Sequence, residues 1–112
     1  MAIQTLSEDV IFVSLSGKEP ERGDEIKNVI EIIDTRGNCD VIISLIRAEL
    51  ITSLNIGGLL KLRDLLNKQG RHLILCHTGF LTKCIFTVAG LKKHFNFAED
   101  KSAALEYLRS IN

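Results

Sequence analysis

Three short runs of the chain are almost continuously apolar and rich in β-branched residues: Val10-Ile11-Phe12-Val13-Ser14-Leu15, Val41-Ile42-Ile43-Ser44-Leu45 and Leu73-Ile74-Leu75-Cys76. Runs of this kind, with few polar positions between the apolar ones, suit strands covered on both faces, and they are predicted to form the centre of a sheet. Between the first two, Ile26, Val29, Ile30 and Ile33 recur at helical spacing, which predicts an amphipathic helix from Asp24 to Arg36 with Gly37 as a left-handed stop. Between the second and third, Leu54 to Gln69 reads as another helix, ended by Gly70. Its Leu59, Leu62, Leu65 and Leu66 share one stripe, while Lys61, Asp64 and Lys68 face away.

Beyond the third run, Thr78 is placed to cap a helix with Leu81, Ile85 and Val88 on its apolar side, closed by Gly90. Asp100 is placed to cap a last helix carrying Ala104, Leu105, Leu108 and Ile111. Phe95-Asn96-Phe97 reads as an edge strand, and residues 2 to 6 as an antiparallel hairpin strand joined through Ser7-Glu8-Asp9. Strands alternating with helices need crossover connections, so the expected class is α/β with a parallel portion in the sheet. The longest polar loop, Gly17 to Gly23, holds the only proline, Pro20, and reads as a solvated connection. Phe12, Phe95 and Phe97 suit either the core or an exposed edge.

With 112 residues, 46% of them hydrophobic, the chain fits one domain over residues 1–112. Fourteen basic and fourteen acidic residues cancel, leaving no long-range field to gather phosphate backbones, so nucleic acid is excluded as the expected partner. Met1 to Thr5 shows neither the basic start nor the apolar run of a signal peptide. No apolar run approaches the roughly 18 residues of a membrane span, so the expectation is a cytoplasmic protein without membrane insertion.

Conventional chemistry is sparse. Cys39, Cys76 and Cys84 lack metal or redox spacing and read as reduced, apolar residues. His72, His77 and His94 are too dispersed to propose as a metal site, and no cofactor is expected. Gly57-Gly58 lies inside a helical pattern and is neither a Walker loop nor a dinucleotide fingerprint. On the helical projection Gly58 falls on the core stripe, where close packing on the sheet accounts for it, and Gly57 points outward. An enzyme reading rests on Cys76 and the adjacent His77 as a thiol site, without the resolving motif or electropositive setting that an activated thiol needs.

The informative segment is Ile51-Thr52-Ser53-Leu54-Asn55-Ile56-Gly57-Gly58-Leu59-Leu60. Thr52 or Ser53 is placed to cap the second helix, and the same hydroxyls sit at the positive end of its dipole, where backbone N–H groups receive a phosphate. Phosphorylation there adds about 1.5 to 2 negative charges, enough to expel a docked partner without unfolding the domain. Ile56 and Leu60, at the edge of the leucine stripe, suit either a docking patch or secondary core contacts.

Asp40 to Leu45, Ile51 to Leu60 and Arg71 to Cys76 together resemble the core of STAS domains. Leu15-Ser16-Gly17, Thr87 to Phe95 with its Gly90-Leu91, and Asp100 to Leu108 extend the resemblance over nearly the whole chain. It implies a single STAS-like α/β domain, a mixed four- to five-stranded sheet with four to five helices. It also implies a non-catalytic regulatory role of the anti-sigma factor antagonist kind, acting through protein binding in signalling and transcription regulation. In such antagonists a motif of the form Asp-Ser-Ser/Thr-Gly starts the helix and carries a phosphoacceptor, modified by an ATP-dependent anti-sigma kinase. Here Thr52 stands at the Asp position, Ser53 keeps the first hydroxyl, Leu54 replaces the second and Asn55 replaces Gly. By this resemblance Ser53 is the phosphorylation candidate and Thr52 the poorer one. Thr52, Ser53, Leu54, Asn55, Ile56, Gly57 and Leu60 are the expected partner-binding residues. The alternative is a phosphorylation-independent docking subunit of a stress-signalling scaffold or of a lipid-trafficking ABC transporter. A weak homodimer fits either reading.

Overall fold

The apolar runs lie side by side in a five-stranded sheet of order β1-β2-β3-β4-β5. A computed structural model of the chain describes residues 2–48 and 51–111. The strands are β1 (Ala2–Ser7), β2 (Val10–Ser14), β3 (Asp40–Ser44), β4 (Leu73–Cys76) and β5 (Asn96–Ala98). β1 and β2 make the expected antiparallel hairpin, and β2 to β5 run parallel. The helices are α1 (Glu21–Arg36), α2 (Ser53–Lys68), α3 (Phe80–Val88) and α4 (Lys101–Ile111), with a 3-10 turn at Lys92–His94.

Because side chains alternate across a strand, the central strands feed two cores. Ile11, Val13, Val41, Ile43 and Leu75 meet Val29 and Ile33 of α1, Leu59, Leu62 and Leu66 of α2, and Phe86 of α3. On the opposite face Val10, Ile42, Ile74 and Cys76 meet Ala104 and Leu108 of α4. Helices α1, α2 and α3 therefore share one layer, as right-handed crossovers stepping in one direction along a sheet require. At the amino ends of the parallel strands, buried Asp40 takes a two-pronged contact from Arg71, Nε to Oδ1 at 3.2 Å and Nη2 to Oδ2 at 2.9 Å, and accepts from the His72 N–H at 2.9 Å.

Several elements depart from the sequence-based expectations. α1 begins at Glu21, with Pro20 at its N-cap, so Gly17–Gly23 is no freely solvated loop and Arg22 within it is buried. Thr78 does not cap α3; Gly79 holds the N-cap position, without a side-chain bond. The buried face of α3 is Thr82 and Phe86, whereas Leu81 and Val88 are exposed. Phe86 takes that place because it packs edge-on against Phe95 (centroids 5.1 Å apart) and Phe97 (5.5 Å). Asp100 does cap α4, accepting from the Ala103 N–H at 2.8 Å.

Candidate docking site at the start of helix α2

The chain enters α2 from the carboxyl end of β3 through buried Ile51 and an extended Thr52. Thr52 is the N-cap. Its hydroxyl accepts from the Asn55 N–H at 3.1 Å, and the Asn55 Oδ1 accepts from the Thr52 N–H at 3.1 Å, a reciprocal capping box that satisfies two otherwise unpaired donors. Of the two capping candidates, the structure therefore assigns the role to Thr52. Ser53 follows as the first helical residue, exposed, with no bond to its hydroxyl among the described residues.

Asn55 extends beyond the cap. Its Oδ1 also accepts from Arg22 Nε at 2.8 Å, and its Nδ2 donates to Glu19 Oε1 at 3.2 Å. Arg22 pairs in turn with Glu19 at 3.3 Å and reaches the Ser16 carbonyl at 3.4 Å, while the Ser16 N–H donates to Glu25 Oε1 at 2.7 Å. Arg22 and Glu25 are only 4% and 6% exposed. A buried polar network thus ties the loop after β2, the first turn of α1 and the start of α2 into one unit. The signal for it was faint: Pro20 followed by Glu21 and Asp24 marks a helix start, and only that earlier start turns Arg22 toward α2.

The expected partner-binding residues therefore divide. Thr52, Ser53, Leu54 and Gly57 are exposed, Leu54 at 84%. Asn55 and Ile56 are not available to a partner's surface: Asn55 is spent on the cap and the Arg22 network, and Ile56 packs in the core. Leu60 is half-buried against that core. Gly58 does face inward, but against α1 rather than the sheet: a Cβ there meets Ile26 Cγ2 at 2.7 Å, while nothing lies within 4 Å of one on Gly57. Ser53, Leu54 and Gly57 border a shallow groove of roughly 680 Å³ between α1 and α2, walled also by Ile26 and Ile30.

The thiol pair of the enzyme reading is poorly disposed for chemistry. Cys76 lies wholly inside the core, and burial pushes its thiol up to about 11, against a smaller opposing effect of a hydrogen bond from Ser44. His77 beside it has a left-handed backbone (φ +53°) and donates its N–H to the Glu99 carbonyl. Among the described residues no helix is long and apolar enough to cross a membrane.

No protein-family model and no curated protein matches the sequence. Solved structures do match its fold. A serine-to-glutamate variant of RsbS from Moorella thermoacetica superposes with a TM-score of 0.83 at 14% identity, covering 98% of this chain and 95% of that one. The anti-sigma factor antagonist SpoIIAA in its unphosphorylated form gives 0.75 at 14% identity, covering 96% of each chain, and its phosphorylated form from Bacillus gives 0.69 at 19%, covering 95% and 96%. A sulfate transporter family protein of Wolinella succinogenes gives 0.76 at 18% identity over 96% of this chain and 91% of that one. The chain has the STAS-domain fold, an α/β architecture with a five-stranded mixed sheet and four α-helices among the described residues.

Proposed function

We propose that this chain is a regulatory protein-binding module of the anti-sigma factor antagonist kind, and that phosphate on Ser53 switches its docking surface. The observation that carries the reading is the division of labour at the helix start. Thr52 and Asn55 close the cap, which leaves Ser53 as an exposed hydroxyl at the positive end of α2.

An ATP-dependent kinase partner transfers the γ-phosphoryl group to Ser53 Oγ, releasing ADP and the hydroxyl proton. The first turn of α2 carries no acidic side chain, so the helix itself does not repel the added charge. The exposed Leu54 beside it belongs to the docking surface, where a charge set against an apolar partner group weakens binding by several kcal/mol. That SpoIIAA, of the same fold, exists in phosphorylated and unphosphorylated forms supports this reading.

The test is a titration of the purified partner with variants at position 53. Ser53→Ala binds at least as tightly as wild type, and Ser53→Asp binds about a hundredfold more weakly with its thermal stability unchanged. Equal affinity of all three assigns the chain to phosphorylation-independent docking instead.

A further inference from the structure

Helix α3 is apolar on both of its sides. Thr82 and Phe86 face the core, while Phe80, Leu81, Cys84 and Val88 span about 100° of the opposite, exposed side. The side chains at its two ends stand clear of the surface, Phe80 74% and Val88 88% exposed. Exposed Ile46, in the turn after β3, borders Phe80 and Leu81 and widens the same surface. A helix apolar on both sides is ordinarily covered on both, so this face lacks its cover.

The charge on α3 and the turn after it has one sign. Lys83, Lys92 and Lys93 are exposed, and Lys83 and Lys92 border one hollow with Phe97. From Leu65 to Ala98 the sequence contains no Asp or Glu. Glu99 and Asp100 come where the chain crosses to α4 on the other face of the sheet, and Asp100 is spent on capping that helix. A second copy of the chain does not suit this face. Placed α3 to α3, lysines meet lysines, and the other exposed apolar surface, the α1–α2 groove, mixes Asp24 and Glu31 with Lys27 and Lys61.

We propose that the exposed face of α3 docks on an anionic lipid bilayer. Phe80, Leu81 and Val88 reach the boundary between headgroups and acyl chains, and Lys83, Lys92 and Lys93 meet lipid phosphates. An apolar helix face flanked by lysines is the pattern of an interfacial helix, and a fluid bilayer accepts protruding side chains that a rigid partner must match with pockets. The contact is peripheral, since no helix among the described residues is long and apolar enough to span. It goes beyond the phosphate switch and uses none of the residues around Ser53.

Co-sedimentation of the full chain with vesicles of phosphatidylglycerol, or of phosphatidylcholine alone, tests it at up to about 1 mM lipid. Wild type is expected to bind phosphatidylglycerol at low salt, and at least about tenfold more weakly at high salt or on phosphatidylcholine. The triple variant Lys83→Gln, Lys92→Gln, Lys93→Gln loses about a hundredfold, at about fivefold per lysine. The double variant Phe80→Ser, Val88→Ser loses at least about tenfold with its melting temperature unchanged, whereas Lys27→Gln on α1 binds as wild type does. A polarity-sensitive dye on exposed Cys84 shifts to the blue on the vesicles. Absence of binding to phosphatidylglycerol at low salt overturns the proposal and leaves the face to an acidic protein. Undiminished binding by the Phe80→Ser, Val88→Ser variant overturns it too, because charge alone then holds the protein to the lipid.

Discussion

Asn55 Oδ1 accepts from Arg22 Nε at 2.8 Å across 33 residues of sequence, and this bond locks the start of α2 to the first turn of α1. Removing either partner breaks this bond inside a buried network, in which Arg22 keeps Glu19 and Asn55 keeps the Thr52 N–H. Asn55→Ala is therefore expected to destabilise the fold by about 2–4 kcal/mol, since it also opens the capping box. Arg22→Met is expected to cost less when introduced into the Asn55→Ala background than into wild type. Urea denaturation of the four proteins measures this, and strictly additive losses contradict the coupling.

Gly57 and Gly58 are adjacent and chemically identical, and alanine at each is expected to act with opposite sign. Gly57→Ala adds a methyl in open space and stabilises the helix by about 1 kcal/mol. Gly58→Ala drives Cβ into Ile26 Cγ2 and costs about 1–3 kcal/mol through overpacking between α1 and α2. Melting curves of the two variants check it.

The contrast between those glycines is partly legible in the sequence, since helical projection turns one inward and one outward. The neighbour expected for Gly58, the sheet, is replaced by Ile26 of α1, because the projection of a single helix carries no information on which layer it meets. The same limit explains α3. Leu81, Ile85 and Val88 fit a helical stripe as well as Thr82 and Phe86 do, and the choice was made by Phe95 and Phe97, which meet Phe86 from the chain beyond it. The strands were legible because burial on both faces makes them continuously apolar. The Arg22 network was not, because it is polar and depends on α1 starting before the residues that carry its apolar period.

The hydroxyls at the start of α2 are expected to separate cleanly in stability measurements. Thr52→Ala loses the cap and about 1 kcal/mol, while Ser53→Ala stays within about 0.5 kcal/mol of wild type. The reverse order in a thermal or urea series contradicts the assignment of Thr52 as N-cap.

Cys76 makes stability depend on alkaline pH. Its thiol is raised from an ordinary value near 9 to about 11 by burial, so between those values the unfolded chain releases a proton that the folded chain keeps. The folded state binds more protons in that window, and stability falls as pH rises through it, by on the order of 2 kcal/mol. The advantage of wild type over Cys76→Ala in urea is expected to shrink between about pH 8 and about pH 11. At neutral pH, a thiol reagent is expected to modify exposed Cys84 and spare buried Cys39 and Cys76. Rapid labelling of Cys76 in the folded protein contradicts this.

The central claim is that Ser53 is the switch. Its most direct test is recovery of the wild-type, Ser53→Ala and Ser53→Asp proteins from their own cell extract, with mass spectrometry of the bound proteins and of the peptide containing Thr52 and Ser53. The account predicts phosphate on Ser53 in wild type, with an ATP-dependent anti-sigma kinase retained by wild type and Ser53→Ala but lost from Ser53→Asp. An unmodified peptide, with the same partners retained by all three proteins, contradicts it.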